Sequence, residues 1–88
     1  MKTLYRTSFL KDLKAVRDKQ LLARVREVIE TVEQADSLID LQSLKQMKGE
    51  KKYYRIRIGE YRVGLHLEND AVTFIRFLHR KEIYRYFP

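Results

Sequence analysis

The feature that most restricts the fold of this chain is a two-residue alternation that starts at Tyr53 and is broken twice by turn pairs. Tyr54, Ile56 and Ile58 fall on one face of an extended segment, and Tyr53, Arg55 and Arg57 fall on the other. Gly59-Glu60 interrupts the run. Tyr61, Val63, Leu65 and Leu67 then alternate with Arg62, Gly64, His66 and Glu68, and Asn69-Asp70 forms a second break. Both breaks carry residues that tolerate positive φ, as tight hairpins require. Val72 to Leu78 is apolar on both faces apart from Thr73 and Arg76, so this third strand is expected to be the most buried and central one.

The segment before the alternation reads as support. Lys2 to Arg6 has the composition of a short strand, and Thr7 or Ser8 can cap a following helix through its hydroxyl. Phe9, Leu10, Leu13 and Val16 repeat at helical spacing. Arg17-Asp18 interrupts them, with Asp18 placed to cap a second helix whose stripe is Leu21, Leu22, Val25, Val28, Ile29 and Val32. So short a break predicts an antiparallel helical hairpin. Ser37 to Met47, anchored by Leu38, Ile39, Leu41 and Leu44, reads either as one more turn of helix or as an apolar loop. The expected class is α+β: a four-stranded antiparallel sheet packed on an N-terminal helical hairpin, in the order β-α-α-β-β-β with a short C-terminal turn. One face of that sheet stays partly open and carries Arg55, Arg57 and Arg62. At 88 residues a single domain, 1–88, is expected, because there is no room for a second core.

Charge separates the two halves. Residues 1–44 hold 8 Lys+Arg against 7 Asp+Glu, and residues 45–88 hold 11 against 5, so nearly all of the net +7 lies with the alternating strands. A basic half on a neutral half is the footprint of a binder of nucleic acid or of an acidic protein; the alternative is solubilising surface charge. With no cysteine, disulfides and thiolate metal sites are excluded. No signal peptide and no run long enough to cross a bilayer is found, so a cytoplasmic, membrane-free protein is expected.

Active-site chemistry narrows by elimination. The 3 glycines are isolated, which removes a phosphate-binding loop. His66 and His79 are far apart and lack clustered carboxylates, so neither a metal nor a cofactor is expected. No acidic pair stands in the basic region for two-metal chemistry. Arginine, lysine, tyrosine and histidine remain, and that set can cleave RNA without metal, since the ribose 2′-hydroxyl supplies the nucleophile. The protein then holds the backbone in line, stabilises charge on phosphate and moves protons. Arginine forks suit the first two tasks, and Tyr84 or His79 the third.

Three stretches, Leu44-Lys45-Gln46-Met47-Lys48-Gly49, Tyr54 to Val63, and His79-Arg80-Lys81-Glu82-Ile83-Tyr84-Arg85, resemble the RelE/ParE toxin superfamily of type II toxin–antitoxin modules, its RelE branch in particular. The resemblance spans nearly the whole chain. It implies a microbial-RNase-like sheet, metal-independent mRNA cleavage in the ribosomal A site, and a cognate antitoxin as partner besides ribosome and mRNA. By position it assigns Arg55 and Arg57 to RNA backbone, Arg62 to the phosphate, Arg80 as second catalytic arginine, and Tyr84 as the C-terminal tyrosine. Two departures stand out: Leu78 replaces the glycine that many relatives carry before the His-Arg pair, and the chain stops at Pro88. A ParE-like inhibitor that binds DNA gyrase without catalysis and a non-catalytic RNA-binding domain are the alternatives.

The expected catalytic set is therefore Arg62, Arg80, Tyr84 and His79. RNA binding is assigned to Arg55, Arg57, Lys45, Lys48, Lys51 and Lys52, the lysines acting by long-range attraction. Each has a plainer alternative. Arg62 can lay its stem over the sheet, Arg55 and Arg57 can protect a strand face, and Tyr84 can seal the sheet end. His79 is either a proton carrier or a hydrogen-bonded structural residue, and His66 is structural. Tyr53 and Tyr86 can stack on bases, whereas Tyr61 and Phe87 suit core packing.

Overall fold

The computed structural model describes residues 1–38, 41 and 43–88. Their order is β1 (Lys2–Tyr5), α1 (Thr7–Lys14), α2 (Lys19–Gln34), β2 (Leu44–Gln46), β3 (Tyr53–Ile58), β4 (Tyr61–Glu68), β5 (Ala71–His79) and α3 (Ile83–Tyr86). The α+β class and the early helices are as expected.

The sheet differs in three respects. It has five strands rather than four, in the order β1-β5-β4-β3-β2. It is mixed, since β1 runs parallel to β5, pairing Leu4 with Thr73 and Tyr5 with Phe74. Its centre is β4, not β5. The fifth strand comes from the segment read as helix or loop: β2 pairs antiparallel with β3, setting Lys45 beside Arg55 and Leu44 beside Ile56. Leu38 is buried, and Leu41 and Leu44 pack against the core, so the apolar anchors do fasten this segment. Ile39 lies outside the described residues.

Both hairpins form at the expected turns, with Arg57 opposite Arg62 and Leu67 opposite Val72. Gly59 has φ 57°, and Asn69 and Asp70 have φ 51° and 62°, the left-handed pair that a two-residue hairpin turn demands. A bulge between Gly64 and Leu65 changes the stagger of β5, so that Gly64 faces Arg76 and Leu65 faces Phe74.

Apolar burial explains why β5 is apolar on both faces although it is not central. Val72, Phe74 and Phe77 join Phe9, Val25, Val32, Ile56, Ile58, Val63 and Leu65 under the helices. Ile75 and Leu78 pack on the opposite side against Met47, Ile83 and Phe87. The second cluster covers part of the face expected to be open, and it roots α3 there.

Beyond Tyr5, the outer edge of β5 has no strand partner among the described residues, and α1 covers it with side chains. The Ser8 hydroxyl donates to the Ile75 carbonyl at 2.6 Å. The Asp12 carboxylate accepts from the Phe77 amide at 2.9 Å and grips Arg76 at 2.8 and 3.1 Å. These two residues, one turn apart, satisfy backbone that would otherwise lie open at the edge. Ser8 is thus an edge clasp rather than a cap. Arg6 is the N-cap of α1 and makes no side-chain cap, whereas Asp18 caps α2 as expected, accepting from the Gln20 and Leu21 amides. Leu10, expected on the buried stripe, is exposed.

Candidate functional site

On the face opposite the long helices, cross-strand pairing stacks cations. Arg57 on β3 stands opposite Arg62 on β4, and Arg55 pairs with Lys45 on one side and Gly64 on the other. Gly64 matters through what it lacks. A Cβ there would sit 2.8 Å from three ring carbons of Phe87, so Phe87 rests directly on the β4 backbone. Ile83 and Phe87 are both buried, and between them Tyr84 projects outward with 65% of its surface exposed. Its hydroxyl accepts a hydrogen bond from Arg55 Nε at 3.1 Å. The short C-terminal turn is therefore a mount, and Gly64 is the socket that receives it.

Arg62 is fixed differently. One terminal nitrogen, Nη1, donates to the Gly59 carbonyl at 2.8 Å and to the Tyr61 carbonyl at 2.9 Å, which ties the half-buried side chain to the β3–β4 turn. Burial, then the nearby Arg55 and Arg57 guanidiniums, pushes Arg62 below the ordinary arginine range. Tyr84 opposes that shift and Arg80 adds to it. Arg55, Arg57, Arg80 and Tyr84 thus all lie within electrostatic reach of Arg62. A cluster of like charges held this close is costly alone and is relieved when an anion sits among them.

A cleft of about 670 Å³ opens beside this cluster, lined by Arg55, Tyr84, Lys45, Lys48 and Lys51, with Gln46, Met47, Gly49 and Glu50 completing the wall. Gly49, at φ 81°, allows the β2–β3 connection to curl around its rim. Three of the four lysines expected to meet RNA line this cleft. Lys52 does not: its ammonium is paired with Glu68 at 2.6 Å, which holds the Glu68 carboxyl below the usual range through a hydrogen bond and charge attraction.

Arg80 and Tyr84 do not share a helical face, because α3 begins only at Ile83. Arg80 sits in the turn before it, with Nε 2.6 Å from a Glu60 carboxylate oxygen. His79 is not brought into the cluster at all. It pairs with Tyr61 on the helix-side face, stacks edge-on to that ring at 5.5 Å, and accepts the Lys81 amide on Nδ1 at 3.1 Å. The turn between β5 and α3 uses that nitrogen, as the structural alternative for His79 requires. His66 lies against Tyr53 with ring centroids 4.9 Å apart, and Tyr53 in turn meets Phe87 edge-on. Tyr61 stacks on Phe77 in the core, and Tyr86 is exposed between Arg76 and Arg85.

Sequence reasoning missed Glu60, Gly64 and Glu50. Gly64 carried a usable signal, a lone glycine inside an apolar strand, which marks a close approach. Among the described residues no group of three or more His, Cys, Asp or Glu could hold a metal ion, and no helix is long and apolar enough to cross a membrane.

A family model described as the ParE toxin of type II toxin–antitoxin systems, parDE, matches residues 4–84. The chain is 45% identical over 89 residues to Toxin RelE3 of Methanocaldococcus jannaschii, covering 100% of both. It is 35% identical to Putative toxin RelE1 of the same organism, covering 83% of this chain and 81% of that one. Among solved structures it resembles the RelB-RelE antitoxin-toxin complex from Methanococcus jannaschii, with TM-score 0.82, 41% identity, and 97% and 99% of the two chains covered. The archaeal RelE-RelB complex from Pyrococcus horikoshii, at 17% identity, TM-score 0.71 and coverage of 93% and 97%, shows the shared fold.

Proposed function

Because the chain belongs to the RelE/ParE superfamily and is the toxin of a type II toxin–antitoxin module, we infer that it is a ribosome-dependent endoribonuclease cleaving mRNA in the A site without metal. The observation that carries this reading is a basic cleft on the open face of the sheet, lined by Arg55, Lys45, Lys48, Lys51 and Tyr84, with Arg57 and Arg62 paired on the strands beside it. Arg55 and Arg57 with Lys45, Lys48 and Lys51 bind the RNA backbone. Arg62, with Arg80 within electrostatic reach of it, stabilises charge on the five-coordinate phosphate. The ribose 2′-oxygen bonds to phosphorus, its proton passing to water, while the bond to the 5′-oxygen breaks and leaves a 2′,3′-cyclic phosphate. Because the Tyr84 oxygen already accepts from Arg55, its own proton is free for the departing 5′-oxygen, which makes Tyr84 the general acid. His79 takes no part in proton transfer. The module's cognate antitoxin is the protein partner, as RelB is for the relatives solved as complexes.

A reconstituted translation reaction tests this. Wild type is expected to cut ribosome-bound mRNA, and Arg80→Ala to cut it at least about 100-fold more slowly. Intact mRNA with wild type refutes the enzymatic reading. The matching family model is named for ParE, so the specific competitor is inhibition of DNA gyrase by binding. Loss of supercoiling at stoichiometric toxin, with mRNA intact, would establish that competitor instead.

A further inference from the structure

The β3–β4 turn holds two arginines at once. Gly59 gives its carbonyl to Arg62 Nη1 at 2.8 Å, and the next residue, Glu60, gives its carboxylate to Arg80 Nε at 2.6 Å. The Glu60 carbonyl also accepts the Arg80 amide at 2.7 Å, so side chain and backbone of Arg80 are both tied to the same residue. The turn carrying Arg80 is closed by two further bonds, from the Lys81 amide to His79 Nδ1 and from the Glu82 amide to the His79 carbonyl at 2.8 Å. With its backbone fixed this way, Arg80 keeps side-chain freedom, which the ion pair with Glu60 restricts.

We propose that Glu60 is a positioning residue for Arg80, restraining its guanidinium by an ion pair so that it meets the scissile phosphate; the proposal rests on the nuclease reading above. Two features favour positioning over an incidental surface pair. Within the described residues, Glu60 is the only acid in ion-pair contact with any of Arg55, Arg57, Arg62 or Arg80. Without it, an exposed arginine within electrostatic reach of Arg62 is driven outward by like charge. The Arg80 amide also donates to the Glu60 carbonyl at 2.7 Å, so the same residue fixes the backbone from which that guanidinium extends. The carboxylate has an opposite effect on binding, because it adds negative charge beside an incoming polyanion. Positioning therefore predicts a split: losing the charge tightens substrate binding while slowing the chemical step.

Four proteins are compared in reconstituted translation: Glu60→Ala, Glu60→Gln, Arg80→Ala and the double variant Glu60→Ala/Arg80→Ala. Glu60→Ala is expected to lower kcat on the order of tenfold with KM unchanged or lower. Glu60→Gln, whose amide oxygen still accepts from Nε, should recover most of kcat. In the Arg80→Ala background, Glu60→Ala should lower kcat no further. An undiminished kcat in Glu60→Ala, or an equal loss in the Arg80→Ala background, overturns the proposal. The Arg80 Nε–H resonance gives a readout independent of cleavage. Its chemical shift should move in Glu60→Ala and stay near the wild-type position in Glu60→Gln. If wild type leaves mRNA intact, the nuclease reading fails by itself, and a resonance unchanged by Glu60→Ala refutes the clamp even then.

Discussion

The two faces of the sheet are built on opposite terms. Beneath the helices, Phe9, Phe74, Val63, Leu65 and Val32 are fully buried and packed as one apolar cluster. On the other face only Met47, Ile83 and Phe87 form a small apolar island, and around it Lys45, Arg55, Arg57 and Arg62 stand in cross-strand rows. The first face gains stability from contact area. The second holds like charges together that repel until an anion arrives. Stability and activity should therefore be separable by face.

Truncation in the helix-side core should break the fold most severely. Phe74, stacked on Tyr5 at 5.3 Å and packed against Phe9, is expected to cost about 3–5 kcal/mol on change to alanine, measured by urea unfolding. Asp12→Ala comes next, at about 2 kcal/mol, because it leaves the Phe77 amide and Arg76 without their partner at the strand edge. Its effect should appear in hydrogen exchange of the Phe77 amide.

Gly64→Ala links the faces. The added methyl must displace Phe87, for a cost of about 1–2 kcal/mol. Tyr84 moves with it, so cleavage should fall by more than the stability loss explains. If Gly64→Ala cuts normally, the C-terminal turn is not the mount for Tyr84. Glu68→Gln should be silent, with unfolding midpoint and cleavage unchanged, since its bond to Lys52 is exposed. Its carboxyl is held below the ordinary range, so whatever the pair contributes is present at neutral pH and is lost only as pH falls through that depressed value.

The strand faces were legible because a period of two assigns each residue to a side. Arg55, Arg57 and Arg62 share the side that Tyr53 to Arg62 predicted, and Asp18 caps α2 as its position before the stripe indicated. Pairing partners were not legible. A three-residue strand such as Leu44–Gln46 has too few alternations to register, and the parallel β1–β5 pairing joins residues about 70 apart, which no local pattern encodes. The same limit applied to the site. His79 and Arg80 are neighbours in sequence, yet successive strand and turn positions send one to Tyr61 on the helix side and the other to Glu60 in the β3–β4 turn. Gly64 looked like a gap in a strand until Phe87 was seen to fill it.

The most direct test places both faces in one sample: Arg62→Ala, with mRNA cleavage in reconstituted translation measured beside its thermal midpoint. Cleavage is expected to fall about 100- to 1,000-fold, the loss of a donor aimed at developing phosphate charge. The midpoint should change little, because relief of the crowded cations offsets the loss of the two hydrogen bonds to the turn. A variant that unfolds below the wild-type midpoint in proportion to its lost activity, or that still cuts at the wild-type rate, contradicts the assignment of the open face to RNA cleavage.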